Sequence, residues 1–295
     1  MCGLVRKHSG AIGTSEPKWG CNSMKTNKLL LAAALGVASV AMVSTASACS
    51  LSAWSATAGT VVANQPNQSP AVARYSGVCA AQADAVGDFV TDSTPAAEAT
   101  YRARVYVYTG SHTGGTVNFL EARDSGGNNK ITAQYNGSQF TFGMAGTATT
   151  RTAAVVANRW YSVELAWEAS ATGSLTITVQ GAGSATPIAV TPITGVNNSS
   201  DRIDEVRLGK ISGSGTGFMN FDAFDSRRTT SPGRLCVGDA VNDGTRNVFD
   251  VGGIIGDANG SSLSTGQPDV NEDGSINVFD LGALIPIINT SPACP

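Results

Sequence analysis

Twelve residues near the C-terminus, Asp269 to Asp280, read DVNEDGSINVFD and carry oxygen-bearing side chains at spacings that suit a metal ion. Calcium loops of this length use side-chain oxygens at the first, third and fifth positions and a carboxylate at the twelfth. The seventh position supplies a backbone carbonyl, and the ninth supplies a side chain or a water. These six positions are occupied here, in order, by Asp269, Asn271, Asp273, Ser275, Asn277 and Asp280. Gly274 stands at the sixth position, where the backbone turns sharply, so the stretch predicts a Ca²⁺ site.

A second copy of this pattern begins thirty residues earlier and runs from Asp239 to Asp250. Both copies end in the tetrapeptide NVFD, and an internal repeat is stronger evidence than either motif alone. The earlier copy has Val241 at the third position, and Asn242 is displaced from that position by one residue. We therefore expect weaker Ca²⁺ binding in this loop, or a rearrangement that brings Asn242 inward. Its remaining ligands would be Asp239, Asp243, the carbonyl of Thr245, Asn247 and Asp250.

Negative charge is concentrated in the same part of the chain. From Cys236 onward there are eight acidic residues and one basic residue, whereas the whole chain has 19 Lys and Arg against 22 Asp and Glu. Carboxylates this close together repel one another unless cations are bound, so we expect the segment to fold with Ca²⁺. Neither this segment nor the rest of the chain is basic enough to predict nucleic-acid binding.

The N-terminal residues predict export. From Met24, two lysines precede an apolar run that ends at Val43, and the small residues Ala46-Ser47-Ala48 follow. This is the pattern of a secretory signal peptide cleaved before Cys49, so residues 1–48 are assigned to a leader. The protein is expected to be secreted, with cell-surface association and lipid attachment at the cysteine as alternatives. The apolar run is short for a bilayer span and no second run follows, so we expect no transmembrane segment.

Four cysteines remain after the leader, namely Cys49, Cys79, Cys236 and Cys294. In an exported protein they predict two disulfides, for which three connectivities are possible. Position in the chain favours Cys49 with Cys79 and Cys236 with Cys294. The second of these bridges would bracket both predicted calcium loops.

The stretch between Cys49 and the acidic segment reads as short strands. Residues 101–108 alternate apolar with polar or aromatic side chains, and Val163, Leu165 and Trp167 repeat the period of two. Glycine and asparagine clusters separate many such segments, which predicts an antiparallel β-sandwich or jelly roll over residues 49–228. A short polar linker, residues 229–235, would join it to a C-terminal module of residues 236–295.

Two resemblances follow from these motifs. The segments YRARVYVYTG, NRWYSVELAW, GSLTITVQG, RIDEVRLGK and FMNFDAFDSRR resemble concanavalin A-like, laminin-G-like jelly-roll domains of exported bacterial proteins. Residues 236–294 resemble a type I dockerin, although Asp280 replaces the glutamate of the general EF-hand pattern. The expected fold is therefore mainly β, an antiparallel jelly-roll sandwich followed by a small α-helical, duplicated EF-hand-like module.

The dockerin resemblance implies a cohesin-like protein as partner, bound through the helix that follows each loop. Two dyads, Val248-Phe249 and Val278-Phe279, stand where dockerins often carry small polar contact residues. We interpret Phe249 and Phe279 as core residues that pack the two halves together.

Catalysis is not indicated by the carboxylates of the predicted sandwich. Retaining glycoside hydrolases need two carboxyl groups about 5 to 5.5 Å apart. No E-x-D-x-x-E pattern occurs, and Asp222 and Asp225 lack the i, i+2 spacing that puts neighbours on one face of a strand. If the protein is an enzyme, a glycoside hydrolase is the class expected.

The sequence therefore predicts a secreted calcium-binding protein whose lectin-like sandwich binds a polysaccharide or cell-surface glycan, or mediates adhesion. One alternative is a catalytic or non-catalytic component of a polysaccharide-degrading assembly, docked through a cohesin-like partner. Another is a structural protein of the cell surface. Aromatic rings that could face outward to meet a sugar are Trp54, Tyr106, Tyr108 and Trp160, and packing within the protein is the other interpretation for Trp160.

Overall fold

The computed structural model describes residues 50–64, 74–291, 293 and 294. The predicted signal peptide lies outside these residues. Residues Cys49–Pro295 form one compact unit. No helix in the described ranges is both long and apolar enough to cross a membrane.

Two antiparallel sheets of seven strands each account for most of the described chain before residue 228. Sheet A has the order β1-β4-β13-β6-β7-β8-β9, and sheet B has the order β12-β11-β10-β5-β14-β3-β2. The predicted mainly β, antiparallel architecture is confirmed. The strands are β1 Ala56–Ala58, β2 Val62–Asn64, β3 Ala80–Ala83, β4 Asp88–Asp92, β5 Thr100–Tyr108, β6 Val117–Arg123, β7 Asn129–Tyr135, β8 Gln139–Met144, β9 Thr150–Ala154, β10 Trp160–Glu168, β11 Gly173–Gly181, β12 Ile193–Val196, β13 Glu205–Gly213 and β14 Met219–Arg227.

The main core lies between the sheets and follows the period of two in the sequence. On β10, Val163, Leu165 and Trp167 point inward and are at most 2% exposed. Val163 pairs with Val105, and Leu165 pairs with Ala103, on the neighbouring β5. Burying each large apolar side chain contributes about 1.5–3 kcal/mol, which makes this inner face the main source of stability in the sandwich.

Part of the outer face of sheet B, around Tyr106, Tyr108 and Trp160, is also covered. Tyr106, Tyr108 and Trp160 are 1%, 7% and 5% exposed. Tyr75 stacks on Tyr106 with ring centroids 3.7 Å apart, and Leu235 packs against the same cluster. The prediction of an exposed ring is wrong for Tyr106 and Tyr108, because segments distant in sequence lie over them. Trp160 follows its other interpretation and packs within the protein.

Two helices follow, α1 Val248–Ala258 and α2 Val278–Thr290. Each begins at an asparagine N-cap, Asn247 or Asn277, which forms a reciprocal capping box with the aspartate three residues later. Such a cap satisfies helix N–H groups that have no partner in the first turn. Both helices contribute to one small core, made of Ala240, Ile254, Val270 and Leu284.

The disulfide predicted between Cys236 and Cys294 is present and joins the two ends of this segment. Cys79 is also disulfide-bonded. Its predicted partner, Cys49, lies outside the described residues. Residues 236–294, with both loops and both helices, are called the C-terminal module below.

The interpretation of Phe249 and Phe279 as core residues is wrong. Their side chains are 70% and 72% exposed. The buried positions of the helices are occupied instead by Asp250 and Ile254 in α1, and by the corresponding residues of α2. A residue one place before that buried stripe lies about 100° away around the helix axis, so both phenylalanine rings face solvent.

Candidate calcium loops

The second loop closes on its first residue, Asp269. One carboxylate oxygen of Asp269 accepts the N–H of Asp273 at 3.1 Å, and the other accepts the N–H of Gly274 at 2.8 Å. Gly274 has φ of 90°, a left-handed conformation that glycine adopts without steric cost. The turn therefore wraps the backbone of the fifth and sixth positions around the carboxylate of the first.

The twelfth residue, Asp280, is fully buried and fixes the other end of the loop. Its Oδ1 accepts the N–H groups of Val270 and Asn271 at 2.8 and 3.2 Å, and its Oδ2 accepts the N–H of Asn277 at 2.8 Å. These three bonds draw the start of the loop and the start of α2 to one carboxylate. Since a carboxylate has about four lone pairs, Asp280 retains acceptor capacity for a cation.

The remaining predicted ligands of this loop lie on its exposed side. Asn271 and Asp273 are exposed and bonded to each other, Nδ2 to Oδ2, at 2.9 Å. The Ser275 carbonyl accepts a weak bond from Asn277 Nδ2 at 3.3 Å. The Oδ1 of Asn277 already accepts the N–H of Phe279 as the helix cap. Asn277 would therefore reach an ion most easily through water, as the ninth residue of such loops often does.

Electrostatics disfavours the ionised form of Asp269. Burial, and then the charges of Asp280 and Asp273, raise the pKa of Asp269 to about 7, although the N–H of Gly274 opposes this shift. An ion that neutralises these carboxylates would remove the repulsion.

The first loop repeats this frame. Asp239 accepts the N–H groups of Asp243 and Gly244 at 3.0 and 2.9 Å. Asp250, fully buried, accepts those of Val241 and Asn247 at 3.0 and 2.7 Å. The Thr245 carbonyl accepts Asn247 Nδ2 at 3.2 Å. These distances match those of the second loop, although the third-position oxygen is absent.

Asn242, the alternative donor for the third position, has an exposed side chain, as Asn271 and Asp273 do in the second loop. Among the His, Cys, Asp and Glu side chains of the described residues, three ligand atoms lie within 4.8 Å of one another only at Cys236, Asp239 and Cys294, where the sulfurs form a disulfide. The carboxylates of each loop are therefore ordered along the backbone without being drawn into a tight cluster. Exposed side chains such as Asp273 would close on an ion. The all-oxygen donor set suits Ca²⁺.

A separate cavity of about 490 Å³ lies in the sandwich. Core residues such as Val105 and Leu208 line it, together with the rings of Trp54 and Phe224, whose centroids are 5.4 Å apart. Its polar lining includes Asp92, Asp222, Asp225 and Ser226. Of the four aromatic rings predicted to face outward, Trp54 is the one that is only partly buried.

The carboxylates beside this cavity have structural partners. Asp222 accepts the N–H groups of Tyr75, Ser76 and Ala223 at 2.7, 2.9 and 2.6 Å. Burial outweighs these bonds and raises the pKa of Asp222 to about 6. Asp225 pairs with Arg227 at 2.8 Å.

Sequence reasoning missed the residues that hold the C-terminal module to sheet B. They are Arg74, Tyr75, Arg234, Asp257 and Glu272. Their partners lie 38 to 197 residues away, and local periodicity contains no signal for contacts at that range.

No family model and no curated protein matches the chain. Solved structures similar to part of it include a marine PL-14 alginate lyase from Aplysia kurodai, at 11% identity over 57% of this chain and 87% of that chain, with a TM-score of 0.38. The cellulose induced protein Cip1 shares 13% identity over 59% of this chain and 88% of its own, with a TM-score of 0.40. A legume lectin-like domain from Entamoeba histolytica shares 9% identity over 57% and 97%, with a TM-score of 0.36. At these values the similarities assign neither a family nor a ligand.

Proposed function

We propose that this is a secreted calcium-binding protein whose C-terminal module holds Ca²⁺ in two twelve-residue loops, the second binding more tightly. One observation carries the proposal: each loop places an aspartate at either end, largely enclosed and held by backbone N–H groups. Among the ion pairs of the described residues, none involves Asp239, Asp250, Asp269 or Asp280. Enclosed carboxylates are costly without a compensating cation, and bound Ca²⁺ would supply that charge.

Calorimetric titration of Ca²⁺ into the chelator-treated mature protein tests this proposal. We expect a tight site that disappears in Asp273→Ala, because Asp273 is an exposed ligand with little role in folding. Glu168→Ala, which removes an exposed carboxylate on β10 outside the loops, is the matched control and should bind as the unaltered protein does. No calcium uptake by the unaltered protein would refute the proposal.

For the sandwich we propose glycan binding at the cavity beside Trp54. Its volume lies within the range of about 300–1,000 Å³ usual for small-molecule sites. An aromatic ring beside hydroxyl and carboxylate groups can stack on a sugar and accept bonds from its hydroxyls. The acidic group of Asp92 would repel anionic sugars, so neutral or amino sugars are the expected class.

A panel of neutral, amino and uronic oligosaccharides tests this role. Trp54→Ala should abolish binding, whereas Val156→Ala, a change at a side chain 57% exposed on another part of the sandwich, should leave it intact. Equal binding by both variants would place the glycan elsewhere. Preference for uronic sugars would contradict the electrostatic argument.

A second candidate function is assembly with a cohesin-like partner, favoured by the exposure of the two dyads. Val248 and Phe249 are each 70% exposed, and Val278 and Phe279 are 68% and 72% exposed. Exposed apolar side chains at equivalent places in a repeat suit a partner surface. A cohesin domain should bind the protein in Ca²⁺ but not in chelator, and the double change Phe249→Ser and Phe279→Ser should remove binding. Binding unaffected by that change would exclude the dyads as the contact surface.

A further inference from the structure

The C-terminal module is bonded through polar contacts to the segment that covers sheet B and to the sandwich. Arg74 forms an ion pair with Asp257 of α1, and the two side chains are only 3% and 4% exposed. The N–H of Gly77 donates to the carbonyl of Gly266 at 3.0 Å. The sequence between the two calcium loops is thereby bonded to the segment that covers sheet B.

The second calcium loop has its own contact with the sandwich, through Glu272. This side chain accepts a hydrogen bond from the Tyr75 hydroxyl and pairs with Arg234 at 2.8 Å. Its other oxygen accepts the N–H of Gly183 at 2.7 Å. The Glu272 side chain is only 8% exposed. Each carboxylate oxygen of Glu272 is thus bonded to the sandwich or to the segment that leads from it.

Tyr75 joins this contact to the aromatic cluster on sheet B. Its ring stacks on Tyr106 and meets Trp160 edge-on, with centroids 5.8 Å apart. Burial, and then the neighbouring Tyr106 and Glu272, raise the pKa of Tyr75 well above its ordinary value. The hydroxyl therefore remains protonated and donates to Glu272, so the loop is attached to an ordered aromatic cluster.

Glu272 occupies the fourth position of the loop, between the predicted ligands Asn271 and Asp273. Its backbone has φ of 53°, a conformation unfavourable for most residues other than glycine. In the first loop the same position is Asn242, with φ of 58°, but its side chain is exposed. The two loops share a backbone shape, and only the second has this residue anchored.

We propose that the sandwich preorganises the second calcium loop through Glu272, so that Ca²⁺ binding and docking of the module on sheet B are coupled. Glu272 is a positioning residue. It fixes the backbone between Asn271, the third-position ligand, and Asp273, the fifth-position ligand. Fixing a loop in its bound conformation strengthens binding by reducing the ordering cost. Coupling of this kind is reciprocal, so Ca²⁺ must stabilise the docked module by the same factor. The inference rests on the proposed calcium function.

The test measures Ca²⁺ affinity by calorimetry in the full mature chain, with the first loop disabled by Asp239→Ala. Adding Glu272→Ala should weaken the remaining site about tenfold, the effect of losing about 1.4 kcal/mol. Tyr75→Phe, which keeps the stacked ring and removes only the hydroxyl, should weaken it in the same direction by a smaller factor. As the control, Glu168→Ala, an exposed carboxylate outside both loops, should leave the affinity of the Asp239→Ala parent unaltered.

Amide hydrogen exchange supplies a readout of docking that calcium affinity alone does not give. The N–H groups of Gly183 and Gly77 cross the contact, so Ca²⁺ should slow their exchange in the unaltered protein and not in Glu272→Ala. Unchanged affinity in Glu272→Ala and Tyr75→Phe, with Ca²⁺ still bound, would overturn the coupling and leave the calcium function standing. Absence of Ca²⁺ binding in the Asp239→Ala parent and the unaltered protein would overturn both.

Discussion

Replacing Asp280 with alanine is expected to remove calcium binding from the second loop and to destabilise the module even without the ion. The carboxylate accepts three backbone N–H bonds, at 2.8, 3.2 and 2.8 Å. A hydrogen bond to a charged group contributes about 1.5–3 kcal/mol when it is lost without replacement. Val270 is 8% exposed and its N–H would be left without a partner. The amides of Asn271 and Asn277 can bind water, so their loss costs less.

Together these contributions give a loss of about 3 kcal/mol in chelator. In calcium the difference between the two proteins grows, because a ligand at about a thousand times its Kd stabilises the folded state by about 4 kcal/mol. We therefore expect Asp280→Ala to lower the stability of the module by about 3 kcal/mol in chelator and about 7 kcal/mol in saturating Ca²⁺.

Native-state amide exchange is the appropriate assay, because it reports the module separately from the sandwich. Protection of Leu284, whose side chain is fully buried in the core of the module, gives the free energy in each condition. Asp280→Asn is the matched variant, since it keeps one acceptor oxygen and removes the charge. In chelator, this variant should retain most of the free energy of unfolding of the module. It should still lose the additional stabilisation that Ca²⁺ gives the unaltered protein. If Ca²⁺ stabilises Asp280→Ala by as much as it stabilises the unaltered protein, Asp280 is not a ligand.

Three further results are expected. Asp239→Ala should reduce calorimetric Ca²⁺ uptake less than Asp280→Ala does, because the first loop lacks a third-position oxygen. Replacing both cysteines of the Cys236–Cys294 bridge with serine should lower the free energy of unfolding of the module by about 4 kcal/mol, the loop-closure value for a separation of 58 residues, measured by amide exchange. Burial raises the pKa of Asp222 to about 6, so the folded state binds the proton more tightly than the unfolded state does. Urea unfolding should therefore show the protein losing about 2 kcal/mol relative to Asp222→Asn as the pH rises from about 4 to 7.

The inner face of the sandwich could be predicted because its signal is local. Strands β5 and β10 alternate inward and outward along their own residues, and pairing then places Val105 beside Val163. The aspartate and glycine positions of the loops were equally readable, since they occur within twelve residues of one another. The position of the cysteines favoured the bridge between Cys236 and Cys294 among three possible connectivities, and the structure contains it.

The cover on sheet B could not be predicted in the same way. Arg104 and Tyr106 alternate with inward residues, as the solvent face of a strand would, yet they are 6% and 1% exposed. Arg104 donates to the carbonyl of Gly233 at 2.9 Å, and the Tyr106 hydroxyl accepts the N–H of Leu235 at 3.0 Å. Periodicity says which residues share a face, and only tertiary structure says whether another segment lies on it.

The two halves of the module are alike in sequence, but only the second loop contacts the sandwich through its fourth residue. Position four of the loop faces the sandwich in one copy, as Glu272, and faces solvent in the other, as Asn242. The dyads at positions ten and eleven remain exposed in both copies, so the contacts with the sandwich do not bury them. Each dyad directly precedes the twelfth-position carboxylate that closes its loop. Calcium would therefore fix the dyads and the docked loop together, and chelation would weaken contacts at both surfaces.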